Sequence, residues 1–98
     1  MTHNVYFWIK ENQNLKDFET LALKLTQIDI VESGSLGRNA PTPSREVTDK
    51  SFTYHLSLNF LNLENHDLYQ KHLAHKEFVT KCNDMWEKVL VYDSESIN

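Results

Sequence analysis

Apolar side chains alternate along two segments of the chain and recur every three or four residues along another. From His3 to Lys10 both faces of the alternating pattern carry large apolar or aromatic groups, which predicts a central strand covered on both sides. From Ser51 to Leu61 the large groups lie on one face, which predicts a strand with one apolar and one polar face. The spacing from Leu15 to Ile28 predicts an amphipathic helix, for which Asn14 is the N-cap.

Three weaker patterns complete the predicted order of elements. Ile30 to Arg38 predicts a short strand, Asn62 to about Cys82 a second helix with a kink near Leu73, and Trp86 to Asp93 a last strand. The order is strand, helix, strand, strand, helix, strand. Two such halves in tandem predict a ferredoxin-like α+β sandwich, with a four-stranded antiparallel sheet and both helices on one face.

The strongest chain-breaking residues are confined to one window. The two glycines, Gly34 and Gly37, and the two prolines, Pro41 and Pro43, lie within ten residues of one another. The prolines belong to a polar segment, Asn39 to Lys50, that we predict to be a loop. Glycines within a strand indicate a bulge or a close approach of another chain segment.

The sheet face away from the helices is predicted to be apolar and bare in a single subunit. Tyr6 and Trp8 lie on it, together with Leu90 and Tyr92 if the last strand pairs in the matching register. An exposed apolar patch of this kind usually marks an interface. We therefore expect a homodimer in which two sheets pack face to face through Tyr6 and Trp8.

Length and charge narrow the class of protein. A chain of 98 residues predicts a single domain, 1–98, and a net charge of −4 disfavours binding to nucleic acid or to anionic membrane surfaces. The lone Cys82 forms no disulfide within the chain. No apolar run reaches about 18 residues, and the first residues lack the pattern of a signal peptide. We expect a soluble, cytoplasmic protein.

Five segments in this order resemble the stress-responsive A/B barrel (Dabb) family, the dimeric α/β barrel domains. They are HNVYFWIK at 3–10, GRN at 37–39, FTYHLSLNF at 52–60, LYQKHLAHKEF at 68–78 and WEKVLVYD at 86–93. The resemblance covers His3 to Asp93. It implies a ferredoxin-like subunit, a barrel dimer, and a pocket between the sheet and the helices.

The resemblance also implies roles for particular residues. In plant relatives that act as polyketide cyclases, a histidine of the second helix is the general base and a tyrosine supports it; these correspond to His75 and Tyr69. The histidine of the first strand corresponds to His3. The chain departs from those cyclases at Tyr54 and Leu21, where they carry a histidine and a tyrosine.

Two functions follow from these residues. One is binding of a small apolar or carbonyl-containing molecule without turnover, and the other is a cofactor-free cyclase, isomerase or lyase. In the second, His75 would act as general base with Tyr69, since an imidazole exchanges protons near neutral pH. The buried polar groups could equally be satisfied core residues. The side chains expected to line the pocket are those of His3, Val5, Phe7, Leu21, Tyr54, Leu56, His72 and Phe78.

Metal and cofactor motifs are weak. His72 and His75, three residues apart, could join His3 as three imidazole ligands, but no cysteine or paired carboxylate has a convincing spacing. An ion at the dimer interface is an alternative. No glycine-rich phosphate loop is present. We expect no metal in the site and no cofactor.

Overall fold

Four strands form one antiparallel sheet in the computed structural model, which describes all 98 residues. They are β1 (Thr2–Ile9), β2 (Ser33–Gly37), β3 (Tyr54–Asn59) and β4 (Trp86–Ser94). Their order across the sheet is β2-β3-β1-β4, so β1 is paired on both sides. The ferredoxin-like prediction is confirmed.

Three helices cover one face of this sheet. They are α1 (Leu15–Leu25), α2 (Leu63–Lys71) and α3 (Leu73–Cys82). The predicted second helix is therefore two helices, because His72 has an extended backbone (φ −67°, ψ 143°) between them. His72 caps α3, since its Nδ1 accepts a hydrogen bond from the backbone N–H of Ala74 at 3.0 Å. None of the three helices has the length and apolar character needed to cross a bilayer.

Phe18 of α1 lies at the centre of the core and is fully buried. Its ring contacts Phe7 of β1 edge to face at 5.1 Å, stacks on Tyr54 of β3 at 5.0 Å, and meets Phe78 of α3 at 5.7 Å. Aromatic pairs of this kind contribute about 0.5–1.5 kcal/mol each beyond the burial of their area. One side chain thus joins the sheet to helices from both halves of the fold.

Two strands are shorter than the sequence pattern predicts. The predicted strand Ile30–Arg38 pairs only from Ser33 to Gly37, because the backbone N–H of Val31 still bonds the carbonyl of Ile28 in the turn after α1. The predicted strand Ser51–Leu61 is a regular strand only from Tyr54 to Asn59, although the backbone N–H groups of Thr53 and Phe60 still donate to the carbonyls of Phe7 and Met1. Both differences lie at strand ends, where an alternating pattern continues beyond the regular strand.

The outer face of the sheet carries an aromatic patch formed by Tyr6, Trp8, Phe52, Leu90 and Tyr92. Strand β4 pairs with β1 so that Leu90 lies opposite Tyr6. This is the register in which Leu90 and Tyr92 were expected to share the outer face with Tyr6 and Trp8. The Tyr6 ring stacks on that of His55 at 4.4 Å and 3°. Tyr92 remains 59% exposed.

The two glycines of β2 give a matched pair of substitutions. A Cβ at Gly34 would lie 2.7 Å from Cδ2 of the buried Leu58, whereas a Cβ at Gly37 would meet nothing closer than 3.9 Å. Neither glycine has a positive φ, so the difference is steric. We expect Gly34→Ala to lower the free energy of unfolding by about 1–3 kcal/mol, as other overpacked sites do. Gly37→Ala should change it by less than about 0.5 kcal/mol.

Urea unfolding of both variants at one protein concentration measures this difference. Equal unfolding free energies for the two variants would contradict the close approach of Leu58 of β3 to Gly34.

Candidate functional site

A cavity of about 150 Å³ lies between the sheet and helices α2 and α3. Ten of its thirteen lining residues are hydrophobic, and the other three are His3, Gln70 and His75. Strand β1 supplies one side of the cavity and α3 the opposite side. The fold therefore leaves a partly open apolar space with a few polar groups at its wall, which is the usual character of a small-molecule site.

Most of the side chains predicted to line a pocket lie around this cavity. They come from the inner face of the central strands and from α2 and α3. These residues are His3, Val5, Phe7, Leu56, Tyr69, His75 and Phe78.

Leu21, Tyr54 and His72 lie elsewhere, so the predicted lining changes at these three positions. Leu21 faces an open polar groove between α1 and the end of α3. The hydroxyl of Tyr54 points toward α1 and donates to Oε2 of Glu19 at 2.5 Å. His72 is exposed, because the break between α2 and α3 places it at a cap and not on a continuous helical face.

Tyr69 provides a buried phenol at the wall of the cavity. The residue is 1% exposed, and its ring meets His75 edge to face at 4.9 Å and His3 at 5.9 Å. Burial raises the pKa of Tyr69, with no contribution from a hydrogen bond. The phenol therefore stays protonated at neutral pH and can donate its proton to a hydrogen-bond acceptor in the cavity.

His75 provides a half-buried imidazole on the first turn of α3. Its pKa is lowered first by burial and then by the nearby His3, while a hydrogen bond with the Gln70 backbone raises it in part. The net direction is downward from the ordinary value of 6.5. The ring is consequently neutral at pH 7 and has a lone pair that can accept a proton.

His3 is buried and paired with a carboxylate. Its Nδ1 lies 2.5 Å from Oδ1 of Asp93, which stands directly opposite it in the pairing of β1 with β4. Burial lowers the pKa of His3 and outweighs the opposing effect of Asp93. The neutral ring donates its Nδ1–H to Asp93, which leaves Nε2 as the acceptor.

Two residues beside this site were not singled out from the sequence. His66 of α2 places its ring 4.9 Å from that of His3, and Asp93 accepts the hydrogen bond from His3 described above. His66 precedes Tyr69 by three residues, so helical spacing was a usable signal for it. Asp93 could be found only from the register of β4. The three imidazoles suggested by the sequence, those of His3, His72 and His75, do not come together, because His72 is exposed.

Nearly the whole chain matches the model of one protein family. Residues 1–96 match the model of the stress responsive A/B barrel domain. The chain belongs to this family. The resemblance based on the five segments is thereby confirmed.

Three solved structures illustrate the likeness. A Dabb family protein of Mesorhizobium loti with a ferredoxin-like fold is 24% identical, with a TM-score of 0.78 over 99% of this chain and 96% of that one. The hydroxynitrile lyase of Passiflora edulis is 16% identical, with a TM-score of 0.78 over 99% and 95%. A dimeric ferredoxin-like protein of Thermobifida fusca is 13% identical, with a TM-score of 0.75 over 93% and 85%. At these identities the likeness shows the fold. No protein of curated function matches the chain.

Proposed function

We propose that this Dabb protein binds a small apolar molecule that carries a carbonyl group, in the cavity beneath α2 and α3. The observation that carries the proposal is the Tyr69 phenol, which is buried at an apolar cavity and remains protonated. The Tyr69 hydroxyl makes no hydrogen bond within the chain, and no buried side-chain polar atom lacks a partner, so this hydroxyl is open to the cavity and free to donate to a ligand that brings an acceptor. A carbonyl oxygen is such an acceptor.

The size of the cavity limits the ligand. An apolar cavity of about 150 Å³ in another protein binds benzene, and this one has the same volume. The half-exposed Val89 and Val91 of β4 also line the cavity, so it opens along this edge of the sheet. A single aromatic or short aliphatic carbonyl compound fits this description.

Benzaldehyde is a suitable probe for binding. We expect Tyr69→Phe to weaken its binding about 2- to 10-fold, since one neutral hydrogen bond contributes about 0.5–1.5 kcal/mol. Tyr54→Phe is the matched control, because it removes a phenol hydroxyl that is bonded to Glu19 outside the cavity. Amide chemical-shift titration of the labelled protein measures both dissociation constants.

The binding proposal requires weaker benzaldehyde binding in Tyr69→Phe and unchanged binding in Tyr54→Phe. Equal affinities for the wild type and Tyr69→Phe, or an equal loss in Tyr54→Phe, would exclude the Tyr69 hydroxyl as the group that binds the carbonyl.

A second candidate function is cofactor-free catalysis with His75 as the general base. It is favoured by the neutral imidazole beside Tyr69 and by the common fold with a hydroxynitrile lyase. In a lyase step, His75 takes the hydroxyl proton of a cyanohydrin and the oxygen forms the carbonyl. The bond to the nitrile carbon breaks, and cyanide leaves with the electron pair and takes the proton back from His75. In a cyclase or isomerase the same base would remove an acidic α-hydrogen.

Cleavage of mandelonitrile to benzaldehyde and hydrogen cyanide tests this candidate. We expect His75→Gln to lower kcat by about 10²-fold or more, which is the usual effect of losing a general base. His72→Asn is the control, because it changes an exposed histidine and keeps a good N-cap residue. In the wild type, kcat/KM should fall on acidification with a midpoint below 6.5, since a protonated His75 cannot accept a proton.

Turnover that survives in His75→Gln would exclude His75 as the base. A wild type that binds benzaldehyde but turns over nothing would exclude the lyase step and leave the binding function standing.

We further infer a homodimer formed through the aromatic patch of the outer sheet face. The support is the apolar character of this patch, in which Tyr92 is 59% exposed and Tyr6 and Trp8 are partly exposed, and the dimeric state of the similar Thermobifida fusca protein. A net charge of −4 supports neither nucleic acid nor an anionic membrane as the partner of this face.

A pair of exposed positions on opposite sides of the molecule tests the dimer. Tyr92→Asp puts a charge into the patch and should yield a monomer at micromolar concentration, because a buried unpaired carboxylate is costly. Leu68→Asp changes a side chain of similar exposure on α2 and should leave the dimer intact. Sedimentation equilibrium measures the oligomeric state of the wild type and of both variants. A monomeric wild type, or loss of the dimer in Leu68→Asp alone, would contradict the inferred interface.

A further inference from the structure

Three potential metal ligands converge beside the cavity from three different elements. They are His3 of β1, His66 of α2 and Asp93 of β4, and one ligand atom from each lies within 4.8 Å of the other two. The His3 and His66 rings are tilted by 60° and do not stack, while Asp93 contacts His3 directly. Residues 3, 66 and 93 are far apart in the chain, so the fold alone brings them together.

The charge of this cluster suits a cation. Two imidazoles and one carboxylate have a net charge of −1 when the rings are neutral. No lysine or arginine forms an ion pair with Asp93, whose only partner is His3. The cluster therefore contains a carboxylate that no fixed positive side chain neutralises.

Solvent can reach the cluster from outside. Side-chain exposure is 43% for Asp93 and 14% for His66, whereas His3 is 5% exposed. His66 and Asp93 line an open groove of about 340 Å³, which also contains Ser94 and Glu95. An ion has an entry path here, together with room for water molecules to complete its coordination.

The surroundings of His66 also fit a metal-bound imidazole. Its Nδ1 lies 3.2 Å from Oδ1 of Asp67, so an Nδ1–H can donate to that carboxylate and leave Nε2 free. A carboxylate that accepts from the second ring nitrogen is the common way in which a ligating histidine is oriented. The amide of Gln70 is 3.4 Å from Nε2, which is a long contact that an ion can displace.

From these observations we propose that His3, His66 and Asp93 form a binding site for a divalent transition-metal ion such as Zn²⁺. Two histidines and one carboxylate form a known zinc ligand set that keeps one coordination position open. Bonds of about 2.0–2.2 Å hold tetrahedral ligand atoms about 3.3–3.6 Å apart, so the cluster contracts on binding. The partly exposed Asp93 and His66 side chains make this movement. As the ion takes the place of the Nδ1–H between His3 and Asp93, the His3 proton moves to Nε2, so the ring that binds the ion stays neutral. This metal site does not depend on the proposed binding of a carbonyl compound in the cavity.

Binding of Co²⁺ and Zn²⁺ alone to the full chain tests the site. We expect micromolar affinity, visible absorption bands typical of tetrahedral or five-coordinate Co²⁺, and a rise in Tm with added Zn²⁺. His66→Gln and Asp93→Asn should each weaken Zn²⁺ binding by about tenfold or more and abolish the Co²⁺ bands. Both positions are partly exposed, so these variants should fold, and circular dichroism checks that they do.

His72→Asn is the matched control, because His72 is an exposed histidine outside the cluster. It should bind Zn²⁺ as the wild type does. Absence of Zn²⁺ binding in the wild type, unchanged affinity in folded His66→Gln and Asp93→Asn, or an equal loss in His72→Asn would each overturn the proposal.

Discussion

The register of the central strand β1 is the constraint on which the rest of the structure depends. Its side chains alternate, so His3, Val5 and Phe7 point to the helices while Tyr6 and Trp8 point to the outer face. Because β1 is paired on both sides, a slip of one residue would exchange the two faces and expose the core. One strand thus fixes the wall of the cavity, the aromatic patch and the position of His3 opposite Asp93.

The break between α2 and α3 has the next largest effect on the candidate site. A continuous helix would carry Tyr69, His72 and His75 along one slowly turning face. The extended backbone at His72 removes this residue from the series and makes it a cap, while Tyr69 and His75 still meet edge to face at 4.9 Å. On α2, before the break, His66 packs against His3 with 4.9 Å between the ring centroids.

Burial and hydrogen bonding together determine the protonation states at the site. Burial lowers the pKa of His3 and of His75 and raises that of Tyr69, so all three groups favour their neutral forms. For the two histidines the folded state binds protons less readily than the unfolded chain. Their contribution to stability is therefore complete above pH 6.5 and is lost as the pH falls through their folded pKa values. Neutral imidazole and phenol groups at the cavity wall favour apolar ligands over anions.

The sequence by itself determined the order of elements, the fold, the family and most of the cavity wall, because periodicity and local motifs carry that information. Alternation placed Val5, Phe7 and Leu56 on the inner face of the sheet, whereas the pocket at this face and the choice of Tyr69 and His75 came from the resemblance to the family. The ends of β2 and β3, the outward position of His72 and the placement of Tyr54 against Glu19 depend on hydrogen bonds outside those patterns. The meeting of His3, His66 and Asp93 was decided only by the tertiary structure. It requires the pairing of β1 with β4 and the docking of α2 on the sheet, and both are contacts between residues far apart in the chain.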